Sequence, residues 1–309
     1  MESELKIPSP LNKLNYSLAN EKGVELFIKR DDLIDNVISG NKWRKLALNI
    51  ERCKQEKYDG ILTFGGAYSN HIRATARAAK LVGVKSIGII RGDELNPLSN
   101  QTLSESHLDG MQLVFTSRQE YALRDEKYYE EELRRRHGNY LIVSEGGANF
   151  LGVLGCVQII KELGEIYDHI FLAGGTGTTA AGLLYAQSST QIHLVPALKG
   201  GEFLRKSIRQ LLFQAGLDDE TLNECDEKLT LHTDYHFGGY GKHSSDLIDF
   251  MNDFYNETQI ALDQVYTAKT MFALVDQLKK NGFKAGEKIL FLHTGGLQGI
   301  HSIQDQLIY

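Results

Sequence analysis

Ile61-Leu62-Thr63-Phe64 is followed by Gly65-Gly66-Ala67-Tyr68 and then by Ser69-Asn70-His71. The first four residues read as a buried strand and the next four as a glycine loop. The last three open a helix with Ile72, Ala76 and Ala79 on one face and Gly83 as its stop. The same alternation runs outward in both directions. Strands are expected at 86–90, 112–115, 140–143, 169–172, 192–195 and 288–292. Helices are expected near 98–108, 119–136, 180–186, 203–215, 244–255 and 268–280. Repeated strand–helix units imply an α/β protein with parallel sheets covered on both faces. Glycine loops follow strands at Gly65, Gly174 and Gly295. Open sheets of this kind collect ligands at the carboxyl ends of their strands.

The chain has 309 residues, enough for about two domains. Basic and acidic residues number 34 and 40, and the two signs are interspersed. No basic run favours nucleic acid or an anionic membrane, since Arg134-Arg135-Arg136 shares its helix with Glu130, Glu131 and Glu132. No apolar run is long enough to span a bilayer, and the first residues are too polar for a signal peptide. Cys53, Cys156 and Cys225 are odd in number and widely spaced, so they read as reduced thiols of a cytoplasmic protein. No histidines pair at zinc-ligand spacing, and no catalytic metal is expected.

Two segments carry chemistry when taken together. Ser39-Gly40-Asn41-Lys42-Trp43-Arg44-Lys45 offers a lysine on a tight turn. Arg44 and Lys45 would depress its pKa by like-charge repulsion, and Gly40 would let a ring approach the backbone. Gly174-Gly175-Thr176-Gly177-Thr178-Thr179 leads into a helix, where main-chain N–H groups and threonine hydroxyls can surround a phosphate. It lacks the Gly-Lys-Ser/Thr of a nucleotide loop. An amine nucleophile and a phosphate cradle in one chain point to pyridoxal 5'-phosphate held as a Schiff base on Lys42. Each feature has a plainer reading. A turn lysine is usually solvated, and Ser69 is a good helix cap. Tyr240 and Tyr266 are two of fourteen tyrosines, most of which will be packing residues. His293-Thr294-Gly295-Gly296 ends an apolar strand where a ligand loop would sit.

In order and spacing, these motifs resemble the pyridoxal-phosphate enzymes of the tryptophan synthase β superfamily. Within it they look like the D-cysteine desulfhydrase and 1-aminocyclopropane-1-carboxylate deaminase branch. The likeness runs from Phe27-Ile28-Lys29-Arg30-Asp31-Asp32 to His293-Thr294-Gly295-Gly296. It implies fold type II: two three-layer parallel-sheet domains with the cofactor in the cleft between them. Residues 1–47 and 154–309 would form the large domain and 48–153 a small inserted one. It further implies that Lys42 holds the cofactor, that Asn70 bonds its phenolic oxygen, and that Gly175, Thr176, Gly177, Thr178 and Thr179 hold its phosphate. The substrate carboxylate would lie at the N–H groups of Ser69, Asn70 and His71, with Ser69, Tyr240 and Tyr266 facing the reacting atoms. A small amino acid is the implied substrate and a homodimer the implied assembly.

The branch contains two activities, and one position leans between them. Deaminases carry Glu directly after the second tyrosine, placed to meet the pyridine nitrogen; here that residue is Thr267. A hydroxyl makes a weaker electron sink than a carboxylate, which suits loss of thiolate better than opening of an unactivated ring. The expected reaction is therefore β-elimination from D-cysteine to pyruvate, sulfide and ammonia, with Lys42 as base, alone or with Ser69. The alternatives are 1-aminocyclopropane-1-carboxylate deamination to 2-oxobutyrate, racemisation of a small amino acid, and cofactor binding without catalysis. Whether Thr267 or Thr294 meets the ring nitrogen stays open. Ala268 stands where desulfhydrases more often have Gly, which leaves the substrate open as well.

Overall fold

The computed structural model describes residues 5–186 and 189–309. The chain begins with strand β1 (Leu11–Lys13), helix α1 (Ser17–Glu21), strand β2 (Glu25–Arg30) and helix α2 (Lys42–Gln55). Next come β3 (Gly60–Gly65), α3 (Asn70–Val82), β4 (Lys85–Arg91), α4 (Gln101–Leu108) and β5 (Gln112–Thr116). Helices α5 (Arg118–Tyr121) and α6 (Lys127–His137) then lead to β6 (Tyr140–Val143) and α7 (Phe150–Lys161). The last part runs β7 (His169–Gly174), α8 (Thr178–Tyr185), β8 (Gln191–Pro196), α9 (Phe203–Gln214), α10 (Asp219–Lys228) and β9 (Leu229–Leu231). It continues with α11 (Ser245–Thr258), α12 (Thr267–Lys279) and β10 (Lys288–His293), followed by a 3-10 helix at Leu297–Gln306.

Two sheets result, one ordered β1-β2-β10-β7-β8-β9 and one β5-β4-β3-β6. All pairings are parallel except β1 with β2. Strand alternation supplies the two apolar faces of the large sheet. Ile170, Leu172, Leu290 and Leu292 pack toward α7, α8 and α9. Phe171, Ile289 and Phe291 point the other way, into a core shared with α1, α11 and α12. The small sheet does the same. Ile61 and Val143 face α2 and α3, whereas Leu62, Phe64, Ile87 and Ile89 meet Tyr121, Tyr129 and Leu133. Each sheet is thus the middle of three layers.

Helices α2 and α7 are the two passages between the sheets, and the expected boundaries at 47/48 and 153/154 fall inside them. They touch backbone to backbone: a Cβ on Gly155 would lie 1.9 Å from the Arg44 carbonyl oxygen. The contact is reinforced by a buried ion cluster. Arg44 bonds Asp31 through Nε at 2.6 Å and Nη2 at 2.7 Å, and Glu162 through Nη1 at 2.8 Å and Nη2 at 2.9 Å. Lys29 pairs with Glu162 at 2.7 Å.

The sequence reading needs three corrections here. The single charged helix expected at 119–136 is two, because Arg124 leaves the helical path to meet Glu145 at 3.0 Å and stack over Tyr121. Lys42 does not sit on a turn but is the first residue of α2. Gly40 does have positive φ, +75°, but the group it admits is the Thr294 carbonyl, whose oxygen a Cβ would meet at 1.7 Å.

Candidate active site

The carboxyl ends of β3, β7 and β10 open onto a cleft of about 850 Å³ between the two sheets. Lys42, Ser69, Asn70, His71, Gly175, Thr176, Gly177, Thr179, Tyr240, Tyr266 and Thr294 all line it. Thr178 and Thr267 do not. Thr178 turns its hydroxyl to Thr176 at 2.8 Å within the glycine loop. Thr267 is fully buried; its hydroxyl donates to Asp263 Oδ1 at 2.7 Å and accepts from the Asp263 N–H at 2.8 Å. Asp263 caps α12 in this way, also taking the N–H groups of Val265, Tyr266 and Thr267. The expectation that Thr267 reaches a ligand ring is corrected: capping consumes its hydroxyl, and of the two threonines left open by the sequence only Thr294 lines the cleft.

The Lys42 Nζ sits 3.1 Å from Asn41 Oδ1, while Asn41 Nδ2 donates to Thr179 Oγ1 at 2.8 Å. The amine and the glycine loop are therefore tied through one side chain. Burial first, and Lys45 second, draw the Lys42 pKa down to about 7. Arg44 plays no part in this, contrary to expectation, because its charge is spent on Asp31 and Glu162. A lysine near pKa 7 supplies neutral amine at neutral pH, the form that condenses with an aldehyde.

Opposite the amine, α8 starts at Thr178 behind Gly177, whose φ of +79° only glycine adopts freely. The N–H groups of residues 175–179 meet no acceptor among the described residues. This open row at a helix N-terminus, with the Thr176 and Thr179 hydroxyls, fits a phosphate. At α3, Ser69 accepts the Ile72 N–H at 3.3 Å as a cap, and its own N–H is taken by the Gly66 carbonyl at 3.1 Å. Only the Asn70 and His71 N–H groups remain for a carboxylate, so the expected set of three is reduced to two.

The His71 side chain is buried, and burial, helped by Lys42 and Lys45, lowers its pKa to about 3. Thr63 gives its hydroxyl proton to the Val143 carbonyl at 2.8 Å, so His71 Nε2–H must donate to Thr63 at 2.9 Å. Its Nδ1 is then a buried acceptor with no partner among the described residues. Tyr266 lies against Gly175, and its hydroxyl is 3.3 Å from that of Tyr240. Burial, and then Tyr240, push the Tyr266 pKa well up, so it is a neutral donor.

A profile of pyridoxal-phosphate-dependent enzymes matches residues 3–295. This chain belongs to that family. A Pyrococcus horikoshii protein provisionally named 1-aminocyclopropane-1-carboxylate deaminase is 33% identical, over 94% of this enzyme and 90% of the relative. D-cysteine desulfhydrase of Serratia proteamaculans is 30% identical, over 97% of this enzyme and 94% of the relative. The crystal structure of a 1-aminocyclopropane-1-carboxylate deaminase homologue superposes with a TM-score of 0.79 at 30% identity, covering 97% of this enzyme and 93% of that chain. The enzyme is thus of fold type II, uses pyridoxal phosphate, and lies in the branch that holds both named activities.

Asn41 and Asp263 were not singled out from sequence, whereas Lys45, named with Arg44, does lower the Lys42 pKa as expected. Asn41 directly precedes the helix that Lys42 opens, and Asp263 precedes Tyr266-Thr267 at capping distance; both are N-terminal signals that sequence could have flagged. Among the described residues there is no group of three side chains able to hold a metal, and no helix long and apolar enough to cross a membrane.

Proposed function

We propose that the enzyme is a D-cysteine desulfhydrase-type lyase that eliminates thiolate from the β-carbon of a small amino acid. The observation that carries this reading is the state of the acids in the cleft. Glu94 and Glu145 are its acidic lining residues, and each is paired with an arginine, Arg118 at 2.8 Å and Arg124 at 3.0 Å. Beside Lys42 the cleft offers the neutral hydroxyl of Thr294. Pyridoxal phosphate supplies an electron sink for bonds broken at the α- and β-carbons. With no carboxylate among the described lining residues free to partner the ring, the sink would be modest, which suits a substrate with an acidic α-proton and a good leaving group.

The chain's own residues supply the rest. The Asn70 and His71 N–H groups orient the substrate carboxylate at the start of α3. Lys42 Nζ, neutral near pH 7, takes the α-proton. Tyr266, held neutral, has a proton to lend to the departing sulfur, and Tyr240 sits within hydrogen-bond reach of it. The glycine loop at α8 would hold the phosphate, and Thr294, which lines the cleft, would be the hydroxyl available to the ring.

Keto-acid analysis of the cofactor-loaded enzyme tests the proposal, with D-cysteine, L-cysteine and 1-aminocyclopropane-1-carboxylate supplied separately. Pyruvate and sulfide from D-cysteine alone are expected. 2-Oxobutyrate from the cyclopropane at a comparable rate would refute the argument from the paired acids.

A further inference from the structure

Lys269, on the buried face of α12, has no carboxylate partner among the described residues. Its ammonium instead donates to three main-chain carbonyls: Gly239 at 2.8 Å, His236 at 2.9 Å and Ala197 at 3.4 Å. Burial lowers its pKa to about 8, with Asp263 opposing, so the cation persists at neutral pH. The three carbonyls come from functionally adjacent places. Ala197 follows β8, and its N–H bonds the carbonyl of Gly174 at the head of the phosphate loop. His236 and Gly239 lie just before Tyr240, four residues and one residue upstream. Lys269 itself lies one helical turn beyond Tyr266.

The Tyr240 segment is an unusual backbone. Phe237, Gly238, Gly239 and Gly241 all have positive φ, at 49°, 93°, 126° and 68°. For Phe237, which has a Cβ, that conformation is strained. Such a loop turns carbonyls inward, and without a cation the oxygens would crowd one another in a dry pocket. An ammonium at their centre removes that cost: it donates to Ala197 and is a second donor to His236 and Gly239, whose carbonyls also accept the Gly239 and Lys242 N–H groups at 3.0 and 3.1 Å.

We propose that Lys269 is a positioning residue: its ammonium is a tethered cation that pins the Tyr240 loop to β8 and α12 and so sets Tyr240 against Tyr266 in the cleft. That this matters for turnover rests on the proposed β-elimination; that it holds the loop does not.

The test uses holoenzyme carrying Lys269→Ala, which vacates the carbonyl cage, or Lys269→Met, which fills it with an uncharged chain. Amide exchange over residues 232–243 and kcat/KM with D-cysteine are measured in choline chloride. Both are repeated with potassium, ammonium or methylammonium chloride at equal ionic strength. In choline, both variants are expected to lose protection in the loop, and kcat/KM to fall about tenfold or more, as for loss of hydrogen bonds to a charged group. In Lys269→Ala, a small cation should restore both readouts saturably; in Lys269→Met it should restore neither. Wild-type protection in Lys269→Met, or a loss in Lys269→Ala that no cation reverses, would overturn the proposal. If D-cysteine proves not to be a substrate, the exchange measurement still decides it.

Discussion

Replacing Arg44 by Met should be among the costliest single changes in this chain. The Asp31 carboxylate is fully buried and accepts three hydrogen bonds, two from Arg44 and one from the Ser9 hydroxyl at 2.7 Å. Without the guanidinium it keeps one neutral donor and no counter-charge. Glu162 fares better because Lys29 remains 2.7 Å away. The variant therefore strands one buried charge, which costs about 3–5 kcal/mol. That is a large share of the roughly 5–15 kcal/mol that holds a domain together. Asp31→Asn in the same chain removes the stranded charge and should return about half of the loss. Urea unfolding of the apoenzyme reads this directly through Trp43, the only tryptophan, buried beside Arg44 on α2. The acid limb should move as well. Burial raises the Glu162 pKa, but Arg44 and Lys29 outweigh it and hold it below the usual carboxylate range. Its contribution is present above the unfolded carboxylate pKa and lost as pH falls through the lower folded value. Losing Arg44 raises that folded value and brings acid unfolding to higher pH. A cost under about 1 kcal/mol for Arg44→Met, or a double variant no more stable than the single, would refute the reasoning.

Three further outcomes follow from the cleft. The rate at which apoenzyme captures pyridoxal phosphate, read from the visible band, should rise with pH through about 7 as Lys42 loses its proton, and the band should be absent in Lys42→Ala. Gly40→Ala should cost about 3 kcal/mol or more in urea unfolding, since left-handed strain adds to a clash with the Thr294 carbonyl. Thr267→Val should lower stability by about 1–2 kcal/mol through loss of its bond to Asp263 and leave the cofactor spectrum unchanged, whereas Thr294→Val should shift that spectrum.

Much of the architecture was legible because its strands are bounded by glycine and followed by helical periodicity. The runs beginning at Ile61, Ser86, His169, Ile192 and Lys288 all form strands within a residue or two of expectation. β2 was read only as a motif, since Lys29 and Arg30 interrupt its apolar pattern; Lys29 is buried there because a distant glutamate neutralises it. The site residues were visible as residue types at loops, but their roles depend on partners that sequence separates widely. Thr267 looked like a ligand group because it follows Tyr266. Its bond to Asp263 is a local capping contact that competes with any reach into the cleft. Arg44 looked like a neighbour able to perturb Lys42, and only the fold reveals that Asp31 and Glu162 absorb its charge.

The placement of β10 has a consequence for how the molecule is made. It is the central strand that joins β2 to β7, and Glu25 lies opposite Lys288. The four strands of the small sheet, by contrast, all emerge in one unbroken stretch between residues 60 and 143. During synthesis that sheet can close while the ribosome is still adding α8 to α12. The large sheet has to wait for β10, because contacts between strands so far apart in sequence form late. Thr294 arrives with β10, so the wall of the cleft facing Lys42 is finished only once β10 is made. Cofactor capture then has to follow the synthesis of β10, and a nascent chain that stops short of it carries Lys42 without the pocket that would make it reactive.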